Sequence, residues 1–89
     1  MNKDEILEDL GFVKRAKNRE KVLKVLFKPQ NPSSIGRITK IGLNMSSRAL
    51  RELEDRKLIK CANPKQKVGR IYTLTKKGEI LLEYFKEKD

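Results

Sequence analysis

Apolar residues recur along the first half of the chain at the spacing of amphipathic helices. The first predicted helix lies in an N-terminal extension, 1–11, where Asn2 is expected to cap it and Gly11 to end it. A second helix is predicted over 17–27, before Pro29. The apolar stripe of the first helix consists of Ile6, Leu7 and Leu10.

Two further helices follow a proline-containing connection and are joined by a short turn. The first covers 34–40 and the second 45–57, with Gly42 placed in the turn between them, where a left-handed conformation suits it. The candidate N-caps are Asn31 or Ser33 for the first and Asn44 for the second. The buried stripe of the second is expected at Ala49, Leu50 and Leu53, extending towards Ser46.

The pattern then changes to that of extended strands. Segments 58–62 and 71–74 are predicted to form a two-stranded hairpin with a basic, turn-rich loop, 63–70, at its tip. A last helix, 76–86, is capped by Thr75. Its apolar face is formed by Ile80, Leu81, Tyr84 and Phe85. The sequence therefore predicts one mainly helical domain of 89 residues with a β-hairpin near its C-terminal end.

Composition limits the possible functions. Lys and Arg number 22 against 12 Asp and Glu, a net charge of +10 that favours a polyanionic partner such as DNA, RNA, an acidic protein or an anionic membrane. With one cysteine, Cys61, and no histidine, we expect no zinc site, no cofactor and no histidine-based catalysis, hence no enzyme. The single thiol suits a reducing cytoplasm, and we expect no signal peptide and no membrane span.

The helix pair and hairpin together suggest a DNA-binding surface. Helix 34–40 would support helix 45–57 in the major groove, where Arg reads guanine and Asn reads adenine, and the loop 63–70 would form a basic wing on the backbone or minor groove. The candidate DNA-binding residues are Lys40, Asn44, Ser46, Ser47, Arg48, Arg51, Lys65, Lys67 and Arg70. An alternative for Arg51 is a helix-surface ion pair with Asp55.

Four stretches carry a family resemblance: FV at 12–13 with KNR at 17–19, SRALRELE at 47–54, LI at 58–59 and VGRIYTLTKKG at 68–78. With them the chain resembles the archaeal winged helix-turn-helix transcriptional regulators related to the ArsR and MarR groups. The resemblance implies a winged fold, DNA binding by the helix that holds Ser47, Arg48 and Arg51, and usually a homodimer. In that family the turn glycine tends to lie nearer the position of Lys40 than that of Gly42.

Several interpretations stay open. The terminal helices are expected to pair two protomers, although they could instead pack on each other within one chain. The function could also be that of a winged-helix module for protein contact in a transcription or chromatin complex, or of an RNA-binding or architectural DNA-binding protein. The basic run could contact flanking phosphates or face solvent; it comprises Lys14, Arg15, Lys17, Arg19 and Lys21. Buried or nearly buried positions are expected for Phe27, Met45, Cys61, Tyr72 and Leu74.

Overall fold

The computed structural model describes residues 3–88, which form five helices and one antiparallel hairpin. The order and type of the predicted elements are confirmed. The helices are α1 (Lys3–Lys14), α2 (Lys17–Val25), α3 (Pro32–Thr39), α4 (Gly42–Asp55) and α5 (Lys76–Lys88), and the strands are β1 (Ile59–Cys61) and β2 (Tyr72–Leu74). None of the helices in this part of the chain has the length and apolar character needed to cross a bilayer.

Helix α1 continues past the glycine that was expected to end it. The N–H of Arg15 still donates to the carbonyl of Gly11 at 3.1 Å, and Val13, in the added turn, is fully buried. Burying an aliphatic side chain contributes about 1.5–3 kcal/mol, which exceeds the cost of about 1 kcal/mol for a glycine inside a helix. The predicted stop at Gly11 is therefore wrong, and the predicted cap, Asn2, lies outside the described residues.

Helix α2 ends two residues earlier than its apolar pattern predicts. The N–H of Leu26 turns back to the carbonyl of Leu23 at 3.2 Å, and the side-chain amide of Gln30 donates to the free carbonyl of Val25. Phe27 therefore lies beyond the helix and is 65% exposed, so its predicted place in the core is wrong.

Helix α3 begins at Pro32, because Asn31 supplies the cap. Its Oδ1 accepts a hydrogen bond from the N–H of Ser34 at 2.8 Å, and Pro32 occupies a first-turn position where no N–H is needed. Of the two candidate caps, Asn31 is thus the one used. The helix ends at Thr39, and the next residue, Lys40, caps it in a left-handed conformation with a φ of 63°.

Helix α4 begins at Gly42, three residues before the predicted start, and Asn44 lies in its first turn rather than at its cap. The left-handed conformation expected of Gly42 is confirmed by a φ of 84°. Ser46 is fully buried against α3, and its Oγ donates to the carbonyl of Leu43 within α4 at 3.1 Å. A Cβ on Gly36 would lie 3.3 Å from this Oγ, so two small residues let α3 and α4 pack closely.

The hairpin pairs β1 with β2, with Ile59 opposite Leu74 and Cys61 opposite Tyr72. Gln30 extends the sheet by exchanging two backbone hydrogen bonds with Tyr72, at 3.0 and 2.8 Å. Both strands are shorter than predicted, since Leu58, Ala62 and Ile71 lie outside them, although the N–H of Ala62 still donates to the carbonyl of Ile71 at 2.7 Å.

Helix α5 closes the core over the hairpin. Thr75 caps it as predicted, since its Oγ1 accepts from the N–H of Gly78 at 3.1 Å. Leu82, which was not assigned to the apolar face, is buried, whereas Tyr84 is exposed. The core comprises Val13, Val22, Leu23, Leu26, Ile35, Ala49, Leu50, Leu53, Leu58, Ile59, Leu74, Leu81, Leu82 and Phe85, which includes the predicted stripe of α4.

Candidate nucleic-acid interface

Acidic residues are excluded from two long stretches of the chain. Residues 21–51 contain seven Lys and Arg, residues 56–78 contain eight, and neither stretch contains Asp or Glu. The first stretch includes α3 and the N-terminal half of α4, and the second includes the hairpin. The acidic residues are concentrated in α1, at the C-terminal end of α4 and in α5, so the charge of the molecule is unevenly divided among its elements.

The outer face of α4 presents most of the side chains predicted to bind DNA. Asn44, Arg48 and Arg51 are exposed, and Ser47 is half-buried beside them. Ser46 is an exception, because it is fully buried against α3 and its hydroxyl is engaged within the helix. Its assignment as a DNA-binding residue is therefore wrong.

One groove joins α4 to the base of the hairpin. Its wall includes Ser47 and Arg51 from α4 and Arg70 from the hairpin loop, and the remaining lining residues are Pro32, Leu50, Glu54 and Tyr72. Two segments that are about twenty residues apart in sequence thus place two guanidinium-bearing side chains along one groove. Arg48 has an ion pair with Glu52 at 3.7 Å, whereas none within the described residues joins Arg51 to Asp55.

A second groove lies between the hairpin loop and the N-terminus of α3. It is lined by Lys67, Gly69 and Arg70 from the loop and by Asn31, Pro32 and Ser33 from α3. Lys67 therefore faces α3 rather than α4, and Arg70 borders both grooves. Lys65 and Lys40 are exposed, at the loop tip and at the end of α3, and neither lines these two grooves.

Asn63 shapes the hairpin loop. Its Nδ2 donates to the carbonyl of Gly69 at 3.0 Å, and its Oδ1 accepts from the N–H of Ile71 at 2.7 Å. The half-buried Cys61 places its Sγ 3.4 Å from the same oxygen. Sequence reasoning missed this role, although an Asn before a proline at a strand end is a common turn signal. One amide side chain thus fixes the loop that carries the basic residues.

Arg70 extends over the ring of Tyr72, with 5.8 Å between the guanidinium carbon and the ring centroid. The neighbouring Tyr72, and then Cys61, raise the pKa of Arg70 above its ordinary value. A guanidinium keeps its charge at every physiological pH, so Arg70 places a permanent cation where the two grooves meet.

On the flank of α4 away from the groove that holds Ser47 and Arg51, Glu52 lies between Arg19 and Arg48. Arg19 Nε donates to Glu52 Oε1 at 3.1 Å, and this hydrogen bond is the main cause of a lowered pKa for Glu52. Arg19 also donates to the carbonyl of Phe12 at 2.7 Å and stacks 3.9 Å from its ring centroid. Arg19, a member of the basic run, is therefore held within the fold, whereas Arg48 keeps a side chain that is 72% exposed.

Asp9 is a buried carboxylate that ties α1 to the rest of the fold. Lys77 Nζ lies 3.1 Å from its Oδ2, and Arg56 Nη1 lies 3.9 Å from its Oδ1. The guanidinium carbon of Arg56 also lies over the Phe12 ring, 4.5 Å from its centroid. Sequence reasoning missed this cluster, although an acidic residue in helical register with Ile6 and Val13 is a signal of a buried, paired acid.

The terminal helices α1 and α5 pack on each other within the chain. Ile6 and Leu10 lie against the core, while Leu7 and Tyr84 remain exposed. Part of the apolar surface that suggested a dimer is thus used inside one protomer.

The first turn of α4 also exposes two apolar side chains, Leu43 at 57% and Met45 at 44%. The predicted near-core position of Met45 is therefore wrong. With α4 beginning at Gly42, both residues fall on the flanks of the helix rather than on its buried stripe.

Comparison with protein-family models, with curated proteins and with solved structures finds no match to this chain. We therefore base its function on the charge and shape of the surface that α4, the N-terminus of α3 and the hairpin loop form together.

Proposed function

We propose that this protein is a winged helix-turn-helix regulator of transcription that binds specific sites in double-stranded DNA. The observation that carries the proposal is the groove bordered by Ser47, Arg51 and Arg70, which joins the exposed face of α4 to a basic hairpin loop. The part of α4 up to Arg51 and the hairpin loop both belong to stretches without an acidic residue, while Glu54 lines the groove from the C-terminal end of α4. A helix of this diameter fits the major groove of B-DNA.

In this proposal α4 is the recognition helix. Arg48 and Arg51 each carry the donor pair that reads O6 and N7 of guanine, and Asn44 carries the donor and acceptor that read adenine. Ser47, at the edge of the groove, suits a phosphate oxygen. The exposure of the three longer side chains supports this assignment, because no fold contact has to break before they reach a base edge, apart from the loose pair of Arg48 with Glu52.

The hairpin loop acts as the wing. Lys67 and Arg70 border the groove at the N-terminus of α3, where the helix dipole also favours a phosphate, and Lys65 extends the positive surface at the tip. Lys40 adds a further cation at the end of α3. These contacts would fix the orientation of α4 without reading sequence.

Two copies would bind two half-sites through pairing of their terminal helices. The exposed Leu7 and Tyr84 support this part of the proposal, because they remain uncovered after α1 and α5 have packed. Sedimentation equilibrium tests it, with Leu7→Ser expected to shift a dimer to monomer. A wild-type chain that sediments as a monomer would remove the dimer from the proposal.

Selection of bound duplexes from a random pool tests the DNA-binding proposal directly. We expect enrichment of one motif, and binding that weakens steeply with added salt as counterions are released. Arg51→Ala should weaken the enrichment and relax the preference at one base pair, whereas Lys86→Ala, which changes an exposed lysine on α5, should leave the motif unchanged. A chain that retains no duplex at low salt would contradict the proposal and favour a winged-helix module for protein contact.

A further inference from the structure

Met45 is an apolar residue that the fold leaves largely uncovered. It lies outside the hydrophobic core and is 44% exposed on the first turn of α4. Its neighbours on the chain, Asn44 and Ser46, are polar, and no acidic residue occurs before Glu52 on this helix. Exposure of the apolar Met45 side chain to water is unfavourable, and the residues around it are polar or cationic. A partner that buries Met45 should therefore combine negative charge with a small apolar group.

Met45 and Arg48 lie next to each other, one turn apart on α4. Both line a groove whose other walls are Ala16, Asn18, Arg19, Ala49 and Glu52. The ion pair between Arg48 Nε and Glu52 leaves the terminal amino groups of Arg48 as donors on this side of the helix. The thioether of Met45 therefore lies beside a group that can read a guanine.

We propose that Met45 contacts the C5-methyl group of a thymine in the major groove, at a base step next to the guanine bound by Arg48. The inference rests on the proposed function and adds a base preference to it. The thymine methyl is the one apolar group that unmodified B-DNA presents in its major groove, and the phosphates around it supply the negative charge that the surrounding cations of α4 match. Methionine is flexible and polarisable, so it can follow the shape of a methyl group.

Replacement of thymine by deoxyuridine removes the methyl group and nothing else. In the duplex enriched by the full-length protein, each thymine is replaced in turn and binding is measured by fluorescence anisotropy. At one thymine beside a guanine, we expect the replacement to weaken binding about fourfold, the equivalent of one buried methyl group. Met45→Ala and Met45→Gln should bind the thymine and deoxyuridine duplexes equally at that position, and Met45→Leu should keep the preference.

Phe27→Ala is the control, because Phe27 is an even more exposed apolar residue that lines a separate groove with Glu79 and Glu83. This variant should keep the full preference for thymine. Equal binding of thymine and deoxyuridine at every position, or a preference that survives Met45→Ala, would overturn the inference while leaving specific DNA binding intact. Failure of the wild-type chain to enrich any duplex would instead overturn the proposed function itself.

Discussion

Arg19 on α2 donates from Nε to Glu52 on α4 across 3.1 Å, so a residue of the N-terminal basic run fixes an acidic residue next to Arg48 on α4. Glu52 in turn lies 3.7 Å from Arg48 Nε. The same carboxylate therefore helps to position α4 on α2 and restrains the arginine that we assign to base contact.

The pairing of Arg19 with Glu52 predicts that the stability of the fold depends on pH. The hydrogen bond from Arg19 lowers the pKa of Glu52 in the folded state below its ordinary value of 4.5. A lowered folded-state pKa stabilises the fold above the unfolded-state pKa, and this contribution is lost as the pH falls through the folded-state pKa. We expect Glu52→Gln to reduce the free energy of unfolding by about 1 kcal/mol or less at neutral pH, since the side chain is partly exposed.

Urea denaturation of wild type and Glu52→Gln over a pH series measures this difference, which should shrink as the pH drops below 4.5. Glu83→Gln is the control, because Glu83 is exposed and lies 3.9 Å from Lys86, its only ion-pair partner among the described residues. A Glu52→Gln difference that stays constant into acid would contradict the assigned role of Arg19.

The buried carboxylate predicts a larger effect on stability. Asp9→Asn removes the charge that Lys77 and Arg56 face, and leaves two partly exposed cations without their anion. We expect a loss of about 2 kcal/mol in the free energy of unfolding, less than for a fully buried pair because water reaches the cations. Glu8→Gln, an exposed neighbour, should change stability little. Equal effects of both variants in urea would show that Asp9 has no special role.

Alanine substitutions at two glycines are expected to change the stability of the fold in opposite directions. A Cβ on Gly78 would overlap the carbonyl of Leu58, so Gly78→Ala must push α5 away from the residue that precedes β1 and should destabilise the fold by about 1–3 kcal/mol. A Cβ on Gly11 would meet only the terminal amino group of Arg15 at 3.6 Å. Gly11→Ala should therefore stabilise α1 by about 0.5–1 kcal/mol. Thermal unfolding monitored by circular dichroism decides both signs, and a gain in stability from Gly78→Ala would show that the packing is looser than described.

The order of the elements could be predicted from the sequence because apolar periodicity and turn residues act locally. Helix ends could not, because distant contacts decide them: burial of Val13 carries α1 past Gly11, and the amide of Gln30 satisfies the end of α2. Ser46 was expected both at the edge of the buried stripe and among the DNA-binding residues, and only the first is confirmed, since its contact with Gly36 depends on how closely α3 approaches α4. Polar residues with structural roles, such as Asp9 and Asn63, were missed because periodicity reports on apolar residues alone.

The candidate site, too, could be predicted from the sequence only in part. Exposure of Asn44, Arg48 and Arg51 followed from the buried stripe of α4, because the opposite face of an amphipathic helix must face solvent. The grooves that bring Arg70 to Arg51 and Lys67 to α3 depend on the fold of the hairpin loop, which the sequence predicted only as a basic turn.

Alanine variants of Arg48 and Lys67 are expected to distinguish base recognition from phosphate binding. Arg48→Ala should lower the preference for the enriched site over random duplex by about 1–3 kcal/mol, because a guanine contact is lost. Lys67→Ala should weaken binding to every duplex alike and reduce the slope of log K against log salt by about 1, because one phosphate contact is lost. Anisotropy titrations of specific and random duplexes at several salt concentrations measure both quantities. Uniform losses of equal size from the two variants would mean that Arg48 binds phosphate, and that α4 does not read the major groove through it.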